Sequence, residues 1–319
     1  MSMINVAVWG LGNHARNRIL PILSVMNEMT LVGVCSRNVE VVKESAEKWK
    51  CFGWEDPKQM LNDPSVDVVY IATPIGVHFS LAKQVLEVGK HVWCEKPLTC
   101  SFEESQELVT LSEAKDKVLA ESFMYIYHPQ FQRIKRFVDD SAEVKSIICR
   151  FGIPALDQPG FRNNPLLGGG ALWDVGTYVT SALVSLLPDE EIEVLFSEVL
   201  FKTAELVDSE GRALLRFSSG VTAYVEWAIG VAYKNEIDLW AKDGSFFTDK
   251  IFSKPKGYCP QYKIRDVNGN ERLEDEVYSE QFMDMFNHFM KLIGNKLQAN
   301  LERKIILQRA KLMNDIVNF

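Results

Sequence analysis

Residues 4–15 read INVAVWGLGNHA, and the organisation of the chain follows from them. Ile4–Trp9 is apolar enough to predict a strand buried on both faces, ended by Gly10. The spacing Gly10-x-Gly12-x-x-Ala15, directly after that strand and opening a helix, suits a dinucleotide. Gly10 makes the tight turn, Gly12 lets the backbone approach a pyrophosphate, and Ala15 allows close helix–strand packing. The anion then rests on free amides at the helix N-terminus, with Asn13 and His14 in the same loop. An ordinary strand-to-helix turn is the alternative, and the surroundings argue against it. Further strands are predicted at Thr30–Cys35, Val66–Ala72, His91–Cys94 and near Val118–Ser122. Helical stretches separate them: one ending near Met26, then Val39–Lys50, about 77–89 and about 102–116. Strand–helix–strand repetition with short connections predicts parallel βαβ units in a doubly wound sheet.

The end of the second strand selects the dinucleotide. NAD-binding folds usually place Asp or Glu there, roughly 20 residues after the glycines, to hold the ribose 2′-hydroxyl. This chain has Cys35-Ser36-Arg37-Asn38 instead. A carboxylate repels a 2′-phosphate, whereas a serine hydroxyl followed by a guanidinium binds it through charge-assisted hydrogen bonds. Ser36, Arg37 and Asn38 are therefore read as cofactor contacts, and NADP(H) is expected over NAD(H). A solvated surface arginine is the other reading of Arg37.

The 319 residues are about twice the usual domain length of roughly 100–200, so two domains are expected. Apolar residues at 47% and charged residues at 24% exclude disordered, collagen-like and disulfide-scaffold classes. No apolar run approaches the roughly 18 residues of a membrane span, and the start lacks a secretory leader's pattern. A net charge of −8 gives nucleic acid or an anionic membrane nothing to bind globally. Six cysteines without a C-x-x-C suit reduced thiols in a cytoplasmic protein, and no His/Cys/Asp/Glu cluster has metal-ligand spacing.

After about residue 123 the texture changes. A helix at about 128–139 leads into a strand-like run, Glu143–Ile153, then an irregular stretch, Pro154–Leu167, with three prolines. A triple glycine, Gly168–Gly170, precedes a helix from about 171 to 187. Consecutive strands follow to about 267; Val221, Ala223, Val225 and Trp227 alternate with polar residues, as a sheet with one covered face requires. Helices at about 277–294 and 301–318 close the chain. No flexible linker is visible, so the two parts are expected to pack closely around a shared site.

Ala72-Thr73-Pro74 with His78, then Glu95-Lys96-Pro97, then Gly168-Gly169-Gly170-Ala171-Leu172-Trp173-Asp174 occur in that order. In these motifs the sequence resembles the Gfo/Idh/MocA oxidoreductase family over nearly its whole length. The resemblance implies an α/β N-terminal Rossmann domain (1–122) and an α+β substrate and oligomerisation domain with a large open mixed sheet (123–300). A last helix (301–319) returns to the first domain. It also implies cofactor contacts from Thr73, Pro74, His78, Glu95 and Lys96, with a capping or packing role as the other reading of His78 and fixing of its loop as that of Glu95, and a homodimer or homotetramer built through the open sheet. Many members carry Asp-x-x-x-His after the triple glycine; here Tyr178 stands at the histidine position. Tyrosine there, with the run Met124-Tyr125-Ile126-Tyr127-His128-Pro129-Gln130, is similar to one subgroup. It comprises glucose–fructose oxidoreductase, dimeric dihydrodiol dehydrogenase and NADP-linked xylose dehydrogenases. Tyr125 and His128 are accordingly taken as substrate contacts, although a histidine in such a place also serves as a helix cap.

Nicotinamide supplies only a hydride, so a carbonyl/alcohol interconversion needs a proton donor beside the oxygen. Lys96, at the C-terminal end of a parallel strand, can anchor the nicotinamide ribose and favour the ionised form of a nearby phenol. Asp174 and Tyr178, four apart, project from one helix face. Lys96, Tyr178 and Asp174 thus form a candidate catalytic set with Tyr178 as general acid/base; a packed core aromatic is the alternative for Tyr178. Arg162, the only cation of Pro154–Leu167, is read either as a substrate clamp or as a solvated loop residue. The expected function is an NADP(H)-dependent oxidoreductase acting on a hydroxyl or carbonyl of a sugar-like substrate, free or nucleotide-linked. A trans-dihydrodiol dehydrogenase and a non-catalytic NADP-sensing regulator are the alternatives. The intact Lys96 disfavours the regulator.

Overall fold

The structure, a computed structural model, describes residues 3–201 and 206–319. The chain divides into two compact units: the first runs to Ser122 and takes in Phe286–Leu307, and the second holds Phe123–Met285 with Gln308–Phe319. No helix among the described residues is long and apolar enough to cross a membrane.

The first unit is built on β1 (Ile4–Trp9), β2 (Met29–Cys35), β3 (Phe52–Trp54), β4 (Val68–Ile71), β5 (His91–Cys94) and β6 (Leu119–Glu121). They form one parallel sheet in the order β3-β2-β1-β4-β5-β6. Val6–Val8, Val68–Ile71 and Val92–Cys94 are wholly buried, which is why these strands are continuous apolar runs without alternation. The connections carry α1 (Leu20–Leu23), α2 (Val39–Trp49), α3 (Pro57–Asn62), α4 (His78–Glu87) and α5 (Phe102–Ala114). Strand order reverses between β1 and β4, and such a switch point opens a ligand crevice at the strand C-termini. This is the doubly wound architecture the sequence predicts.

The second unit places α6 (Pro129–Asp140) and α7 (Thr177–Leu186) on one face of an eight-stranded sheet. Its strands are β7 (Val144–Ile153), β8 (Ile192–Phe201), β9 (Asp208–Phe217), β10 (Thr222–Ile229), β11 (Lys234–Ala241), β12 (Gly244–Asp249), β13 (Gln261–Asp266) and β14 (Glu271–Asp275). The order is β14-β13-β12-β11-β7-β10-β9-β8, antiparallel except where β10 meets β7. Ile147, Cys149, Ala213, Leu215, Ala223, Val225, Ile237 and Leu239 fill the covered face, so the expected large mixed sheet is present.

Two terminal helices, α8 (Gln281–Leu292) and α9 (Lys296–Val317), divide differently from expectation. The sequence reading gave 301–319 whole to the first domain and 277–294 to the second. Instead Phe286 and Phe289 of α8 pack on Trp93 at 5.8 and 5.5 Å, and Ile306 of α9 enters the first unit's core. The end of α9 stays with the second unit, where Met313 meets Thr180 and Ser197 bonds the Ile316 carbonyl.

Candidate active site

Gly10 closes β1 at φ +109°, and its amide donates to the Cys35 carbonyl at 2.9 Å. A Cβ on Gly10 would lie 2.5 Å from the Ala72 carbonyl oxygen, so no other residue fits between β1 and the loop after β4. A Cβ on Gly12 meets nothing within 4 Å: the space over this amide is open. The helix that follows begins with a π-helical turn, Ala15–Ile19, running into α1. Asn13 is exposed and accepts from Arg16. Ala15 is wholly buried, as its packing role requires.

At the end of β2, Ser36 is half-buried and Arg37 is exposed, and no hydrogen bond or ion pair among the described residues engages the Arg37 guanidinium. Asn38 is the N-cap of α2: its side chain accepts from the Val41 amide at 3.2 Å. Its side-chain oxygen is thereby engaged in capping the helix.

Lys96 and Pro97, joined by a cis peptide, follow β5. Two side chains hold this turn. His78, wholly buried, places Nδ1 2.9 Å from the Pro97 carbonyl and Nε2 2.9 Å from that of Thr73. Burial lowers its pKa, against the pull of both carbonyls. His78 thus ties two strand-end loops together from below and is not an exposed cofactor contact. Glu121 of β6, also buried, accepts from the Leu98 amide at 2.8 Å; no motif in the sequence signalled it. Glu95 accepts from Tyr70 and meets His14 of the glycine loop.

In the second unit the triple glycine leads into a π-helical turn, Leu172–Gly176, and then α7. Asp208, at the start of β9, accepts from the Leu172 amide at 2.7 Å and so caps this helix from a distant strand. Burial lifts its carboxyl to about 6, although the amides of Leu172 and Ala171 and the Trp227 indole pull the other way. Gly170 lies under that carboxylate at φ +113°, where a Cβ would sit 2.1 Å from Asp208 Oδ1. Asp208, which no motif in the sequence signals, thereby explains the last of the three glycines.

Asp174 receives the Arg162 Nε at 2.5 Å, so Arg162 neither hangs in solvent nor offers a free substrate clamp. It pins the irregular segment to the turn that leads into α7. Tyr178 is half-buried, its ring wedged among Phe123, Tyr125, Phe151 and Phe252 with centroids between 5.3 and 5.9 Å away. Tyr125 is fully buried, and its hydroxyl bonds Ser181 Oγ at 2.6 Å and the Tyr178 carbonyl at 3.3 Å. His128 is equally buried; its Nδ1 accepts from the Gln130 amide and caps α6, while burial and the Lys254 charge hold its pKa at about 3. Neither is placed to touch substrate. Tyr125 supports Tyr178, and His128 is a helix cap.

These residues fit a phosphorylated dinucleotide. The glycine loop leaves space over its amides, Thr73 Oγ1 beside it is buried with no partner among the described residues, and Arg37 is unengaged. Among the described residues no group of three or more His, Cys, Asp or Glu could hold a metal ion.

A family model described as "Oxidoreductase family, NAD-binding Rossmann fold" (GFO_IDH_MocA) matches residues 4–123, and the "GFO/IDH/MocA C-terminal domain" model matches residues 131–247. A dTDP-3,4-didehydro-2,6-dideoxy-alpha-D-glucose 3-reductase from Streptomyces violaceoruber is 31% identical over 84% of this chain and 79% of its own length. D-xylose 1-dehydrogenase (NADP(+)) 2 of Haloferax volcanii is 34% identical over 61% of this chain and 60% of its own. KijD10, a 3-ketoreductase from Actinomadura kijaniata solved with NADP and TDP-benzene, is similar at TM-score 0.92 and 26% identity, covering 99% of this chain and 98% of that one. Its solved variants replace one tyrosine with phenylalanine, and one lysine with alanine or glutamate. The subgroup expected from Tyr178 is represented in part, by the xylose dehydrogenase and by a trans-1,2-dihydrobenzene-1,2-diol dehydrogenase of Xenopus laevis at 26% identity over 95% of this chain and 90% of its own length. dTDP-sugar 3-ketoreductases stand among the matches beside a xylose dehydrogenase.

Proposed function

The chain belongs to the Gfo/Idh/MocA oxidoreductase family, and on that premise we propose that it is an NADP(H)-dependent ketoreductase acting on a hexose carried by thymidine diphosphate. The observation that carries this reading is the likeness, over nearly the whole of both chains, to a 3-ketoreductase holding NADP and a thymidine-diphosphate ligand. NADPH, when bound, supplies the hydride. The glycine loop holds its diphosphate, and Ser36 with Arg37 its 2′-phosphate. Tyr178 holds a proton at its phenolic oxygen and gives it to the substrate oxygen. Lys96 anchors the ribose and favours the phenolate that remains. The Arg162–Asp174 pair and the Tyr125 hydroxyl keep the helix that bears Tyr178 in place. The test is NADPH oxidation followed with a dTDP-linked 3-keto hexose, against NADP reduction with free glucose and xylose. Turnover of the keto nucleotide sugar alone supports the reading. Turnover confined to free sugars overturns it.

A homodimer through the outer face of the eight-stranded sheet is the second part of the proposal. Across neighbouring strands that face carries Glu198, Arg212, Glu226, Arg150 and Glu236, each in contact with the next or bridged by a shared partner. A two-fold axis along the strands between β10 and β7 would set Glu226 against the partner's Arg150 and Arg212 against the partner's Glu236, so the row meets its copy with complementary charge. Phe196, Leu214 and Trp240 lie exposed on the same face. Trp240→Glu is expected to convert a dimer into a monomer in light scattering. A wild-type monomer at all concentrations overturns the idea.

A further inference from the structure

Glu95 follows the last residue of β5, immediately before Lys96, and its Oε1 is the meeting point of two donors. The Tyr70 hydroxyl on β4 donates at 2.5 Å, and His14 Nε2 in the glycine loop lies at 2.9 Å. The Glu95 side chain is 15% exposed and Tyr70 is wholly buried, whereas the His14 side chain is 46% exposed. The contact therefore joins a solvent-facing loop to the interior of the sheet. Burial opposes ionisation of Glu95, but His14, Tyr70 and Lys96 outweigh it and bring the carboxyl down to about 2. Tyr70 moves the other way, chiefly through burial and then through Glu95, so it remains a donor. The carboxylate is a fixed negative centre held by one buried and one half-exposed partner.

The loop it reaches is the part of the first unit that needs holding. Gly10 and Gly12 lose more conformational freedom on ordering than any other residue, and that loss weakens binding of whatever orders them. No side-chain hydrogen bond caps the helix that starts at this loop. The His14 side chain supplies an anchor from the neighbouring strands instead. Resting on the NADP(H) reading above, we infer that His14, Glu95 and Tyr70 form a brace that preorders the dinucleotide loop and links it to the strand end bearing Lys96. His14 and Glu95 are then positioning residues for the cofactor, and the side chain of His14 acts through Glu95.

The test is fluorescence titration with NADPH on the full chain, with melting temperature measured in parallel. His14→Leu is expected to weaken NADPH about tenfold with unchanged melting, since the residue is half-exposed. His14→Gln, which restores a side-chain N–H donor, recovers most of the affinity. Glu95→Gln weakens NADPH similarly, and the His14→Leu/Glu95→Gln double variant is no weaker than the poorer single, as residues acting through one contact require. If Glu95→Gln does not fold, Tyr70→Phe replaces it in the cycle. Wild-type affinity in His14→Leu, or additive losses in the double variant, overturns the brace. A wild-type chain that binds no NADPH overturns the functional reading itself, which separates the two failures.

Discussion

Tyr178→Phe is expected to lower kcat by about 10²–10³-fold while NADPH affinity stays within about twofold of wild type, because a positioned general acid contributes roughly 10²–10⁴-fold. The substitution removes one oxygen and leaves the ring. That ring is held by edge contacts to Phe123 and Phe151 and tilted contacts to Tyr125 and Phe252, none of which uses the hydroxyl oxygen as its basis. The fold and the α7 backbone, pinned by Tyr125 and Ser181, should persist. Proton donation matters in the transition state and little in the ground state, so kcat and kcat/KM fall together. Lys96→Ala should behave differently, raising the KM for NADPH as well as lowering kcat, since one ammonium serves both the ribose and the phenol. Steady-state kinetics with the keto nucleotide sugar separate the two patterns. A Tyr178→Phe enzyme with near-complete kcat assigns the proton to another group.

The parts of this molecule that were legible in its sequence are those whose physics is local. Ile4–Trp9 followed by Gly10-x-Gly12 states a buried strand and a tight turn within nine residues, and the repeated strand–helix pattern carried the first sheet from there. Phe52–Trp54 was not legible: three residues with glycine in the middle make no apolar run, and the strand exists because Val34 and Cys35 pair with it. Glu271–Asp275 lies beyond the strands predicted from the sequence, which end near 267. It is the edge strand β14, and charge on an edge is how sheets discourage further pairing. The site was readable at its motifs and misread at its supports. Tyr125 and His128 read as substrate contacts through the resemblance of their run to one subgroup, and only packing shows both turned inward. Asp208 lies far along the chain from Gly170, so its capping of the catalytic helix depends on tertiary contact alone. Arg162 is the instructive miss. Its partner, Asp174, stands only twelve residues on, and the segment's one cation and the first-turn acid that follows it neutralise each other.

Cofactor choice gives the second large effect. Ser36→Asp combined with Arg37→Ala is expected to shift the ratio of NADPH to NADH affinity by about 10³-fold toward NADH. Loss of the guanidinium removes a charge-assisted hydrogen bond to the 2′-phosphate, worth about 1.5–3 kcal/mol. The new carboxylate repels the phosphate and offers an acceptor to the 2′-hydroxyl of NADH, as Asp or Glu does at this place in NAD-binding folds. Together these come to about 4 kcal/mol, and each 1.4 kcal/mol is tenfold. The structure allows the change without damage to the fold. Arg37 is exposed and makes no contact that the first unit relies on, and Asn38 keeps its cap on α2 through Val41. Gly10 still bonds the Cys35 carbonyl, so the glycine loop keeps its place against the end of β2. Paired titrations with NADPH and NADH measure the ratio directly. Tighter NADH binding by the unaltered chain contradicts the role given to Ser36 and Arg37, whereas an unaltered preference in the double variant moves 2′-phosphate recognition to other residues of the first unit.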